Sequence, residues 1–140
     1  ATSATLMLMT LAAMLAALQV ADLPTVPLQF SLPQVSGVEV DVSCANTPAL
    51  AASATCIKTS SSRVSSVFGE YSEVFASDGW RRFTSVQPSH VYFEKPSDEG
   101  QCAFFTVYAL LDQRASGVRD SEADAMLVFR QFEDRPCRQP

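Results

Sequence analysis

"QCAFFTVYALL", residues Gln101–Leu111, decides how the second half of the chain is read. Its aromatic and β-branched residues suit a pleated, half-buried surface, so it reads as a strand. "ADAMLVFRQFE", Ala123–Glu133, repeats the pattern. Between them "DQRASGVRDSEAD" is polar and holds a Gly. Two such runs around a polar loop predict an antiparallel hairpin. A fold about Val118–Asp120 sets Cys102 opposite Cys137 or within one residue of it. Phe104 and Phe105 are neighbours and point to opposite sides of a strand. One is expected in the core, the other in an exposed patch or a partner contact.

Working outward from that hairpin, His90–Lys95 and Arg81–Val86 give two more strand signals, broken at Pro88, and "PSDEG" turns the chain into Gln101. Upstream, Ser62–Ala76 is the best helix. Val64, Val67, Phe68, Tyr71, Val74 and Phe75 recur at i, i+3, i+4, i+7, i+10 and i+11, one apolar stripe. Ser62 is placed to cap its start. Ser77-Asp78-Gly79 can end it, with Gly79 free to turn left-handed. Trp80 is expected to pack back onto the sheet. Val38–Ser43, "VEVDVS", alternates in period two and reads as a half-buried strand. Cys44–Ser62, rich in Ser, Thr and Ala, reads as loop with a helical turn at Pro48–Ala54. The body is thus expected to be a small α+β domain, one helix packed on a mainly antiparallel sheet of four or five strands.

The four cysteines contain no C-x-x-C pair, and with His90 the single histidine no zinc-finger spacing is met. An even count behind an export-like segment points to disulfides and an oxidising compartment. The hairpin register pairs Cys102 with Cys137. Cys44 with Cys56 then follows by elimination.

The other end of the chain has a different character. Residues 1–38 carry one charge, Asp22, and the other 24 lie from Glu39 onward. Ala1–Ala21 is uncharged, and 21 helical residues rise about 31 Å, the hydrocarbon thickness of a bilayer. The strongly apolar part, Leu6–Val20, also overlaps the length of a signal-peptide core. No positive segment precedes it, and a cut after Ala21 or Ala17 puts Gln19 or Leu15 at −3, where a small residue is wanted. The stretch is therefore read as a membrane anchor. Within it Ala12/Ala16 and Ala13/Ala17 are spaced four apart, which lets another membrane helix approach. Asp22–Gly37, "DLPTVPLQFSLPQVSG", has Pro24, Pro27 and Pro33 and should be extended. It is read as a stiff linker. Val26, Leu28, Phe30 and Leu32 alternate along it as an apolar face, with Phe30 and Leu32 expected to touch a partner. The expected organisation is 1–21 anchor, 22–37 linker and 38–140 domain.

Composition excludes some partners. The net charge is −5 and Lys and Arg are nowhere concentrated, so neither nucleic acid nor a polybasic lipid contact is expected. Eight Arg against two Lys, with one Asn and one Ile, point to GC-rich coding and a bacterial source. Candidate chemistry is sparse. His90 reads as a strand-edge residue, with no G-x-S-x-G elbow to make it a catalytic base. Asp120, Glu122 and Asp124 alternate like the start of a calcium loop, but Ala125 and Gln131 occupy the positions needing Gly and Glu. Arg81 and Arg82 point to opposite faces of a strand and make a poor anion clamp. No catalytic residue, cofactor or metal site is expected.

These readings predict a non-catalytic accessory subunit of a larger bacterial inner-membrane complex, of which energy-transducing, respiratory or photosynthetic assemblies are typical. It is anchored by one helix among integral membrane subunits and the lipid bilayer, with its domain in the periplasm. The alternative is a secreted, disulfide-stabilised binding module whose N-terminal segment is a signal peptide.

Overall fold

The computed structural model describes residues 24–84, 90–111 and 124–138. The predicted anchor, with Ala12 and Ala16, lies outside the described residues, as do Asp120 and Glu122. Among the described residues no helix is long and apolar enough to cross a membrane.

The domain is a mostly antiparallel sheet with one main helix and two disulfides. Its elements are β1 (Thr25–Val26), β2 (Glu39–Val40), α1 (Pro48–Ala51), β3 (Thr55–Ser60), α2 (Val64–Ser77), β4 (Arg81–Thr84), β5 (His90–Pro96), β6 (Gln101–Leu111) and β7 (Asp124–Pro136). The sheet order is β2-β3-β7-β6-β5-β4, and β1 joins the β3 side of β7 further along, with Thr25 opposite Phe132. Chain order explains the sheet order. From β3 the chain crosses one face as α2 and drops to the opposite edge at β4. It then winds back through β5 and β6 until β7 pairs with β3. A 14-residue helix rises about 21 Å, close to the ~19 Å of four strand spacings that it must cover.

That helix face holds the main core. Val67, Tyr71 and Phe75 of α2 bury against Ile57, Phe93, Phe105, Val107, Leu127 and Phe129. Gly79 takes φ +92°, which returns Trp80 onto the same core, where its ring meets Phe105 at 4.7 Å. Leu28, Phe30, Leu32, Val35 and Val38 complete the cover from the N-terminal side. On the other face, Cys44, Cys56, Met126 and Val128 bury beneath Leu50, Ala51 and Ala54. Beyond them a row of rings, Phe83, Tyr92, Phe104 and Phe132, crosses four strands. With both faces covered, the central strands are apolar runs rather than strict alternations.

Several boundaries differ from expectation, each for a physical reason. Cys44–Ser62 is not all loop. It contains β3, whose Ile57 and Thr59 face α2 while Cys56 faces the other way. The expected strand Val38–Ser43 shrinks to two residues, because Cys44, Ala45 and Asn46 take φ of +49°, +57° and +58° and turn the chain away. The sheet therefore has five longer strands plus the two-residue β1 and β2. α2 starts at Val64, and Ser62 does not cap it; its hydroxyl lies 3.2 Å from that of Ser60.

Candidate functional site

The end of the sheet formed by β2, β3, β7 and β6, with the turn after β2, carries large exposed apolar side chains. Val42 is 86% exposed, Val40 62%, Leu111 56% and Leu110 41%. Val40, Leu110 and Leu111 line a groove of about 900 Å³, together with Glu39, Asp41, Lys58 and Asp124. Exposed apolar residues rimmed by charge make this end a candidate interaction surface. Lys58 Nζ lies 3.3 Å from Asp124 Oδ2 and 3.8 Å from Glu39 Oε1. The Asp124 hydrogen bond, then its charge, hold the ammonium above its ordinary pKa. Three carboxylates against one ammonium leave this rim acidic.

The left-handed turn beside the groove is built around Asp41. Its carboxylate accepts from the Ser43 hydroxyl at 2.7 Å, the Ser43 N–H at 3.0 Å and the Ala45 N–H at 2.9 Å. These bonds, the Ser43 hydroxyl foremost, pull its pKa below the ordinary value. The Cys44–Cys56 disulfide fastens the same turn to β3 across a Cα–Cα distance of 5.4 Å. As a disulfide, Cys44 and Cys56 do not titrate.

At the far end of the other face Cys102 is bonded to Cys137, with Cα atoms 5.0 Å apart. The register differs from the expected one. Cys102 lies opposite Arg135, next to a bulge between Cys102 and Phe104, and the bond runs diagonally to Cys137. Glu94, on β5, sits beside it. Its Oε1 accepts from Arg81 Nη2 at 2.7 Å and its Oε2 from the Arg138 N–H at 3.0 Å.

The other candidates are kept apart by the fold. Arg81 and Arg82 do face opposite ways: Arg82 stands over the Phe68 ring at 5.2 Å while Arg81 binds Glu94. His90 opens β5, its ring 4.6 Å from that of Tyr108. Burial, and secondarily the Arg130 charge, lower its pKa. Asp124 is engaged with Lys58. Phe105 is core and Phe104 is also buried, under the Arg135 guanidinium at 5.3 Å, so neither lies in an exposed patch. Phe30 and Leu32 lie against the chain's own core. Phe30 meets Phe105 at 4.9 Å, Trp80 at 5.3 Å and Phe75 at 5.8 Å. The segment Leu28–Val38 therefore takes part in the domain's packing as well as linking to it.

Sequence reading missed Glu94 and the exposure of Val40 and Val42. Nothing in "VEVDVS" distinguishes an inward valine from one displaced by a turn that starts two residues later. No protein-family model matches the chain, and comparison with curated proteins and with solved structures returns no match.

Proposed function

We propose that this protein is a non-catalytic accessory subunit of a bacterial inner-membrane assembly, anchored by residues 1–21 with its domain in the periplasm. The observation that carries the reading is the pair of disulfides in a domain preceded by 21 uncharged residues. Disulfides persist in oxidising compartments, and a charge-free run of this length fits a bilayer. The surface of Val40, Val42, Leu110 and Leu111 supports action by binding.

Polarity of the sheet adds to this. β1 runs antiparallel to β7, with Thr25 at Phe132, so the chain enters far from Asp124. The eight steps from Asp124 to Phe132 along β7 span about 26 Å. An anchor before Thr25 leaves the exposed apolar end reaching away from its point of entry, where a periplasmic part of a neighbouring subunit can meet it.

Affinity purification of the full chain in mild detergent tests the proposal. An integral membrane protein should co-purify, and Leu110→Ser with Leu111→Ser should reduce its recovery. A chain recovered alone from the soluble fraction contradicts it. N-terminal sequencing of that soluble chain identifies the secreted alternative by a start near Asp22.

A further inference from the structure

The two disulfides sit in different surroundings. Cys44, Cys56 and Cys102 are buried, whereas Cys137 is part-exposed. Beside the Cys102–Cys137 bond a Glu94 carboxylate oxygen and both sulfurs lie within 4.8 Å of one another. Among the described residues this is the one place where a carboxylate and a disulfide come that close. Glu94 is 2% exposed, so its charge acts in a poorly hydrated setting.

After β7 the described residues Cys137 and Arg138 lie outside regular structure. Beyond Pro136 its hydrogen bonds run from the Cys137 N–H to the Gly100 carbonyl at 3.1 Å and from the Arg138 N–H to Glu94. The Arg138 guanidinium rests 4.7 Å over the Phe83 ring. The disulfide is the covalent tie of this segment.

We propose that Cys102–Cys137 is a thiol–disulfide exchange site opened by an external dithiol, while Cys44–Cys56 is a permanent link. Exchange needs a thiolate to reach a sulfur, so access selects Cys137 as the atom attacked. One thiolate of the dithiol attacks Cys137 Sγ, the S–S bond breaks, and Cys102 leaves with the electron pair. The second thiol of the dithiol then attacks its partner sulfur in the mixed disulfide and expels Cys137. The dithiol is oxidised to a disulfide, and its two electrons and two protons pass to Cys102 and Cys137. With the bond open, Cys137 and Arg138 keep, among the described residues, the two hydrogen bonds and the ring contact above.

The test uses the oxidised full chain in mild detergent and native buffer. Dithiothreitol is added for graded times, free thiols are blocked with N-ethylmaleimide, and the protein is then denatured, reduced and labelled with iodoacetamide. Peptide mass spectrometry should show Cys102 and Cys137 taking the first label at least about tenfold faster than Cys44 and Cys56. Opening of both bonds together, or of Cys44–Cys56 first, overturns the proposal. Glutathione, a monothiol, should leave its adduct on Cys137; an adduct on Cys102 overturns the choice of attacked sulfur.

Discussion

Phe30 shows how much one side chain can decide. It comes from a proline-rich segment, yet its ring touches three core rings at once. Truncating a packed aromatic loses both transfer free energy and contacts around the cavity. Phe30 is only partly buried, so Phe30→Ala should cost about 2–4 kcal/mol, read as a lower urea midpoint. An unchanged midpoint means the segment is not part of the folded unit. His90 makes a second prediction at this scale. Its folded pKa lies below the ordinary 6.5 because burial disfavours the imidazolium. The unfolded chain therefore binds the proton more readily, and stability rises with pH across that gap. The contribution is complete above the unfolded value and is lost as pH falls through the folded one. Urea midpoints at about pH 7.5 and pH 5 should differ less in His90→Gln than in the parent. Equal differences in both proteins put the titration elsewhere.

Among the elements, α2 carries the helix side of the core. Phe75 reaches Phe93 at 5.2 Å and Phe105 at 5.0 Å, and Tyr71 reaches Phe129 at 5.3 Å. Phase along the helix makes Phe75 the residue with least room to relax, and Phe75→Ala should cost about 3–5 kcal/mol in chemical unfolding. Exposed Val74, one residue earlier, should cost well under 1 kcal/mol on the same change. The same elements show where the sequence is legible. α2 stands out because its stripe has a period of 3.6. β5, β6 and β7 stand out because their apolar runs are long. β3 does not, because four of its six residues are Thr, Ser or Lys and its strand character lies in the alternation Thr55, Ile57, Thr59. The disulfide partner of Cys102 was legible but the register was not: Cys102 lies opposite Arg135, two residues from Cys137, and beyond the bulge the strands are offset by one residue more. The exposed surface was not legible at all. It depends on a left-handed turn at Cys44–Asn46, none of them glycine, held by the Asp41 carboxylate and a disulfide.

At the scale of the whole molecule, the two covalent links hold parts that packing holds weakly. The Cys44–Cys56 link closes a loop across a sequence separation of 12 and fixes the turn beside the proposed interaction surface. Replacing both cysteines with alanine should lower stability by about 2–4 kcal/mol and weaken partner recovery together. Loss of recovery without loss of stability means the turn is shaped for the partner alone. The account as a whole rests on location: an oxidised domain kept at a membrane by an apolar N-terminal segment. The most direct measurement is fractionation of source cells, an alkaline wash of the membranes, and the intact mass of the protein with and without an alkylating agent. The account predicts the chain in the washed membrane pellet, including Ala1–Ala21, with no thiol labelled before reduction. A chain in the soluble fraction with four labelled thiols contradicts it.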